Sequence, residues 1–483
     1  MIFSTLIIDK QKPIINQIVD HVINAIEKGE IKKDSKLPST RELSTYLKVS
    51  RNSVIAAYEE LESREIIITK RGKGTFIAVD NKKAEDGYNV DWNNIINYYG
   101  KTLHDEDIMK TELKYKKGMI SFKSIAPDDS LFNIEDLKRS FLDAFSFEGA
   151  NLINYGYAKG YKPLIEFLLN YMKEKGVNTS NKDIVITNGF TEAFDIIIQS
   201  LTVEGDIIFC EEPTHNTALK IMRAHKLKII QIPMDSDGIK IDKLEEAIKK
   251  YKPKFGYIIP SYNNPTGIVT KSERRKQIFN LFKKYSVPII EDGFNEELLY
   301  SSSPIEPMAA LSENGNSIIY IGSLSKILFP GLRIGWVLVD KKLTDYLESV
   351  KRGRSIHVSF LDQAIFYYYL KSGAFSKYLK SVRKSYKDKY KFIIKMINEN
   401  LSYEYITGEG GLHLFVKLNN NLNARELLDN CYKRNVIFMP GDVFFEQGGE
   451  DTFRLGFGRL NKEQIEQGIK IIGEEINKLE KRG

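Results

Sequence analysis

The chain has 483 residues, is 42% hydrophobic and 28% charged, and carries a formal net charge of +7. That make-up excludes a disordered or fibrous chain and predicts several globular domains, with room for an anionic partner. No apolar run approaches the ~18 residues of a membrane helix, and the start "MIFSTLIIDKQKPII" has no basic n-region or long apolar core, so neither a leader nor a span is expected and the expected compartment is the cytoplasm. Cys210 and Cys431 lie far apart. Their spacing excludes a disulfide framework and a metal-ligating Cys/His set, and both are expected to be buried thiols.

The first periodic segment covers residues 13–28. Ile15, Ile18, Val22 and Ile26 recur at helical spacing, and Gly29 follows as a stop. In "LPSTRELSTYLKVS", Ser39 is a helix cap with Glu42 at the third helical position, and Leu43 and Leu47 form the inner face. A turn at Lys48 and Val49 leads to a second cap, Ser50, and to "RNSVIAAYEELESRE" with Val54, Tyr58 and Leu61 inward. Two short helices so joined make a helix-turn-helix pattern, whose second helix would present its first turn to base edges and phosphates. "IIITKRGKGTFIAV" then reads as a hairpin with a basic, glycine-rich tip at Lys70, Arg71, Gly72, Lys73 and Gly74. Glycine permits close approach of backbone, and the cations supply phosphate affinity.

Over residues 13–79 this order of elements resembles the winged-helix DNA-binding domain of GntR-type bacterial regulators, through "LPSTREL", "VSRNSVIAAYEELE" and "RGKGTF". The resemblance implies a domain at 1–79 that binds operator DNA as a dimer. Ser39, Arg41, Arg51, Asn52 and Ser53 would lie at the DNA, with Lys73, Gly74 and Thr75 in the wing.

Residues 80–118 are polar, charged and weakly periodic, and are expected to form a partly ordered linker. Within it Trp92, Ile95, Ile96 and Tyr99 share a helical face, so a short helix is expected at 92–99.

From Met119 to the end, short apolar runs such as "DIVIT", "DIIFCEEP", "FGYIIP", "PIIEDG" and "SIIYIGS" alternate with helical segments. The pattern predicts an α/β domain over 119–483 with a mostly parallel sheet and a ligand at the strand C-termini. Polar residues gather at those ends. Gly189 opens a helix whose first N–H groups, those of Phe190 and Thr191, suit a phosphate. Asn264 follows "YIIP", Asp292 ends "PIIED", Ser323 and Ser325 frame Lys326, and Arg333 comes seven residues later. The set suits pyridoxal 5'-phosphate (PLP). A lysine condenses with its aldehyde, a carboxylate pairs with its ring nitrogen, and hydroxyls, N–H groups and an arginine take its phosphate.

Over residues 120–478 the chain looks like a fold-type I aminotransferase, with a small α+β subdomain at its C-terminal end. The resemblance implies Lys326 as the Schiff-base lysine, Asp292 at the ring nitrogen and Asn264 at the ring hydroxyl. Ser323, Ser325 and Arg333 would hold the phosphate. In "NYGYAKGYKPL" it implies that Tyr155 reaches the phosphate of a partner subunit, and hence a homodimer with shared sites. In "FRLGFGRL" it implies that Arg454 grips a ligand α-carboxylate. No metal is expected.

Three positions depart from the family pattern. His215 stands where an aromatic stacks on the ring, and a charged imidazole there would oppose a protonated pyridine. Phe294 replaces a tyrosine, and Phe190 replaces a small hydroxyl. Each removes a polar contact and argues against efficient turnover more than against cofactor binding. Head, linker and aminotransferase-like body together resemble the MocR-type, GabR-like regulators. The implied function is a transcription factor that senses PLP or an amino-acid-type effector through aldimine chemistry at Lys326. The alternatives are a working aminotransferase with a DNA-binding appendage and a vestigial dimerisation scaffold. The intact Lys326, Asp292, Asn264 and Arg333 speak against the scaffold.

Overall fold

The computed structural model describes residues 2–9, 12–79, 90–300, 306–419 and 422–482. The chain divides into two units, Met1–Ile96 and Asn97–Gly483.

In the first unit, helix α1 (Ile14–Glu27) turns Ile18, Val19, Val22 and Ile26 inward. Helix α2 (Thr40–Leu47) begins at a full capping box, in which Ser39 accepts from the Glu42 N–H and Glu42 accepts from the Ser39 N–H. It ends where Lys48 turns left-handed at φ 53°. Ser50 caps α3 (Arg51–Ser63), which buries Val54, Ala57, Tyr58 and Leu61. Strands β1 (Ile67–Lys70) and β2 (Gly74–Ile77) pair antiparallel. All of these elements lie where the sequence puts them.

The segment after the wing differs from expectation. Residues 80–89 lie outside the described residues. There is no single helix at 92–99: a 3-10 turn covers Trp92–Asn94, and α4 (Tyr98–Asp105) starts afresh because the Asn97 side chain caps it. The boundary between units falls after Ile96, so residues 97–118, expected as linker, belong to the second unit. There they form a strap. The Tyr99 hydroxyl of α4 donates to Asp195 at 3.3 Å. Glu106 pairs with Arg223 at 2.7 Å, and Glu112, just after α5 (Ile108–Thr111), pairs with Arg425 at 3.1 Å. Charged, weakly periodic sequence reads as linker when its partners are ion pairs rather than an apolar face.

The second unit is built on an eight-stranded sheet. After β3 (Ile120–Ser121), its strands are β4 (Lys182–Thr187), β5 (Ile207–Glu212), β6 (Lys228–Asp235), β7 (Gly238–Ile239), β8 (Phe255–Ile258), β9 (Ile289–Gly293), β10 (Ile318–Ser323) and β11 (Gly335–Asp340). They lie in the order β4-β11-β10-β9-β8-β5-β6-β7. The run from β10 through β9, β8 and β5 to β6 is parallel; β11, β4 and β7 are antiparallel to their neighbours. Central strands are apolar on both faces because both are covered: Ile289 packs in one core cluster and Ile290 in the opposite one. Helices α6 (Ile134–Glu148), α7 (Lys162–Glu174), α8 (Phe190–Leu201) and α9 (Asn216–Ala224) precede β8 in the chain. A smaller antiparallel sheet, β12 (Tyr405–Thr407), β13 (His413–Lys417), β15 (Met439–Pro440) and β16 (Thr452–Gly456), forms the C-terminal subdomain, while β14 (Val436–Ile437) pairs with β3. Cys210 and Cys431 are both buried and unpaired. No helix among the described residues is long and apolar enough to cross a membrane.

Candidate functional site

Loops at the C-terminal ends of parallel strands gather polar groups, because the strands stop while their covering helices continue. Asp292 is the last residue but one of β9, and Ser323 closes β10. Lys326 follows in a turn. Its amine is drawn down to about 8, first by loss of water and then by Arg454, Arg333 and Arg459, with Asp292 opposing. Asp292 is 6% exposed and accepts from the Tyr257 hydroxyl at 2.9 Å. Burial raises its carboxyl to about 7 against the pull of Tyr257 and Lys326. A buried acid at its tipping point suits a cation that docks beside it.

A second group forms where β4 meets β11. Gly189 takes φ +81°, and an added Cβ there would lie 2.9 Å from Arg333 Nη2. Gly335 packs so closely that its own Cβ would come 2.6 Å from the Gly189 Cα. Both positions therefore demand glycine. Arg333 donates to the Asn188 carbonyl at 3.0 Å. Helix α8 begins after Gly189 without a side-chain cap, leaving the first N–H groups, including those of Phe190 and Thr191, to an outside acceptor. Ser323 Oγ lies 3.0 Å from Ser325 Oγ. Thr191 and Arg333 are exposed in the single chain.

The third group comes from the C-terminal subdomain. Arg454, on β16, is 5% exposed. Its Nη1 donates to Asn264 Oδ1 at 2.6 Å and its Nη2 to the Lys123 carbonyl at 3.1 Å. Its Nε is buried with no acceptor. Burial draws the guanidinium down to about 9, so it stays charged at neutral pH. The structure thus brings together Lys326, Asp292, Asn264, Gly189, Phe190, Thr191, His215, Ser323, Ser325, Arg333 and Arg454 around the strand ends, and leaves Tyr155 apart. Tyr155 is 82% exposed, with its ring edge-on to His357 at 6.1 Å.

These residues fit PLP on the structure's own terms. The uncapped helix start and the orphaned Arg454 Nε–H lack partners that the phosphate and an amino-acid carboxylate would supply, and the Gly189–Gly335 cradle and the buried Asp292 leave room and an acid for the ring. His215 corrects the expectation of an opposing charge. Desolvation, Lys326 and Arg454 draw its ring down to about 3, so it is neutral at physiological pH and packs at 5.0 Å from Phe190.

Sequence reasoning missed Tyr257, whose hydroxyl holds Asp292, and His413, buried with Nε2 3.1 Å from the Asn263 carbonyl. Tyr257 lies inside a strand and reads as core. His413 starts β13 beside apolar residues, where no local pattern marks it. Both could have been found only from the strand pairings.

In the first unit, Arg41, Arg51 and Asn52 are exposed and Ser53 half-buried. Arg51 Nε reaches Thr40 Oγ1 at 3.4 Å, and Ser53 Oγ lies 2.8 Å from Ser50 Oγ. The Ser39 hydroxyl is engaged as the α2 cap. At the wing, the Lys73 N–H donates to the Lys70 carbonyl at 2.9 Å. Gly72 and Gly74 take φ +75° and +110°, and Thr75 pairs with Thr69 across the hairpin. Lys73 projects from the tip with no side-chain acceptor among the described residues.

Two family profiles match the chain: "Aminotransferase class I and II" over residues 122–472 and "Bacterial regulatory proteins, gntR family" over residues 14–77. The chain is 28% identical to the uncharacterized HTH-type transcriptional regulator YdfD of Bacillus subtilis, covering 98% of each chain. It is 24% identical to the probable rhizopine catabolism regulatory protein MocR of Rhizobium meliloti, over 98% of this chain and 96% of that one. Among solved structures it is similar to the multiple substrate aminotransferase of Thermococcus profundus, with a TM-score of 0.75 and 25% identity over 82% of this chain and all of that one.

Proposed function

The chain belongs to the class I and II aminotransferase family, whose cofactor is PLP, and carries a GntR-type DNA-binding head; from that premise we propose that it regulates transcription by sensing PLP and an amino-acid effector at Lys326. Full-length similarity to MocR-type regulators supports the regulator over the enzyme. The single observation that carries the sensing role is Arg454, a buried guanidinium with an unmet Nε–H beside a lysine amine held near neutrality.

On this reading each residue has a distinct task. Bound PLP would supply an aldehyde that takes an amine and a ring that draws electrons. The Gly189 turn, the N–H groups of Phe190 and Thr191, Ser323, Ser325 and Arg333 bind its phosphate. Asn264, whose Oδ1 is held by Arg454, offers its Nδ2 to the ring hydroxyl. Asp292 holds a proton at the ring nitrogen, oriented by the Tyr257 hydroxyl. Lys326 offers a neutral amine without a large pKa penalty. Neutral His215 covers the ring without opposing its charge. Arg454 orients the effector through its carboxylate.

The effector acts only to the extent that it binds two states of the protein differently. In the first unit, Arg41, Arg51, Asn52 and Ser53 read operator DNA, and Lys73, Gly74 and Thr75 meet its backbone. Ser39 sets the angle of α2 through its cap. The protein acts in the cytoplasm as a homodimer. Phe141, Leu142, Phe147, Ile153 and Tyr155 are exposed apolar or aromatic residues of the second unit, which supports pairing, with Tyr155 reaching the partner's phosphate.

The test is an effector titration of the full-length protein, followed by absorbance and promoter output together. Arg454→Ala is expected to keep PLP and basal DNA binding and to lose both responses to the effector. Rapid amino-acid turnover with promoter output indifferent to ligand would make the enzyme reading correct instead.

A further inference from the structure

The cleft above Lys326 encloses ≈ 820 Å³. Its charge is one-sided: Lys114, Lys123, Lys326, Arg454 and Arg459 line it, and no described aspartate or glutamate does. On the reading above, Lys326 serves the cofactor and Arg454 one carboxylate. Besides exposed Lys114, two cations remain without a task, Lys123 and Arg459.

Neither has a carboxylate partner among the described residues. Arg459 donates its Nε to the Pro127 carbonyl at 3.0 Å, and its other N–H groups meet no acceptor. The Lys123 amine donates only to the Leu113 carbonyl at 3.1 Å. Burial draws that amine down, and Glu112 draws it up from behind, but the Glu112 carboxylate is already tied to Arg425. Arg223 meets Glu106 and Glu446, and Lys389 meets Asp128, whereas Lys182 and Lys351, like Lys123, are met by backbone carbonyls. Lys123, which is half-buried, carries a desolvation cost that a bound anion removes, while exposed Arg459 adds positive charge without one.

The neighbouring walls are apolar. Ile108 and Met109 of the strap, Tyr115, Met119 and Leu460 line the same cleft. Arg454 and Lys123 are joined, because the Arg454 Nη2 donates to the Lys123 carbonyl at 3.1 Å. A ligand held at Arg454 therefore lies beside Lys123, with an apolar wall along its stem.

We infer that the effector is an amino acid whose apolar side-chain stem ends in a second acidic group, with its α-carboxylate on Arg454 and the distal acid on Lys123 and Arg459. The inference rests on the sensing role proposed for this site and names its ligand class. Neutral, basic or purely apolar amino acids would leave the two cations unmet.

The experiment is an absorbance titration of the PLP-loaded full-length protein with glutamate, 2-aminoadipate, glutamine and norleucine. Each acid is expected to bind at least about tenfold more tightly than the uncharged ligands, which is the scale of one charge-assisted contact. Added salt should narrow the gap. Arg459→Gln and Lys123→Met should each weaken binding of the acids roughly tenfold and leave norleucine unchanged. Lys123→Arg should keep the discrimination, which separates loss of charge from loss of fold. Equal affinity for acids and uncharged ligands, or variants that weaken norleucine as much as the acids, would overturn the ligand class while leaving the sensor intact. PLP-loaded protein that responds to no amino acid would overturn the sensing role and the ligand class together.

Discussion

Asp292 is the residue at which protonation, stability and cofactor meet. In the cofactor-free chain burial moves its carboxyl from 3.8 to about 7. The folded state thus holds a proton that the unfolded state has lost, and the associated stability is full below pH ~4 and gone once pH passes ~7. A shift of this size corresponds to on the order of 2–4 kcal/mol. Cofactor-free wild type should therefore lose stability relative to Asp292→Asn between pH 4 and 7 in denaturant melts, and the divergence should shrink when PLP is bound. Parallel curves would show that Asp292 is already ionised. Lys326 gives a second expectation. With its amine near 8, capture of PLP by the cofactor-free protein should quicken as pH rises towards 8 and level off above it. The rate should vanish in Lys326→Ala, followed by stopped-flow absorbance. The placement of Asp292, Asn264 and Lys326 at or just past strand ends was readable from the chain, because apolar runs there give way abruptly to polar groups. The neutrality of His215 and the grip of Tyr257 on Asp292 were not, since both arise from strands brought together across long separations.

At the scale of elements, most of what the sequence announced came from local chemistry. The α2 cap is an example: Ser39 and Glu42 satisfy each other's backbone donors within one turn, so a four-residue stretch suffices to fix the helix start. Ser39→Ala should cost about 1 kcal/mol of stability in the first unit by thermal melting, with DNA affinity lowered only as far as α2 loosens. At the wing, Lys73→Ala should weaken DNA binding across unrelated sequences and reduce the salt slope by about 1, whereas Arg51→Ala should cost roughly 1–3 kcal/mol on the operator alone. Filter binding at several salt concentrations separates the two. An unchanged slope for Lys73→Ala would remove the wing from the DNA backbone. The Gly189 turn makes a different demand. Gly189→Ala adds a methyl 2.9 Å from Arg333 at a left-handed φ, so PLP affinity should fall at least about tenfold while far-ultraviolet circular dichroism is unchanged. Motifs such as capping boxes and glycine turns are readable because their causes lie within a few residues.

The whole molecule is organised by a segment that sequence periodicity passes over. Residues 97–118 look like linker because they bind the body through Tyr99–Asp195, Glu106–Arg223 and Glu112–Arg425, and polar anchors leave no apolar period behind. A fragment beginning at Asn97 should melt as a cooperative unit and take up PLP. One beginning at Met119 leaves Arg223 with Glu446 alone and Arg425 with Asp442 alone, and should melt at a lower temperature. Equal melting temperatures would make the strap an ornament. Asp195 also sits on α8, whose first turn is the proposed phosphate seat, so the strap and the cofactor pull on one helix. The two cysteines, buried at 1% and 0% exposure with thiols pushed well above their usual range, have a practical consequence for following that pull. The protein is born nearly blank to maleimide dyes. A cysteine introduced at the wing tip and another on the exposed face of the strap would be the two places where a fluorophore attaches, and energy transfer between them would report the head-to-body distance as effector is added, with the native cysteines left in place.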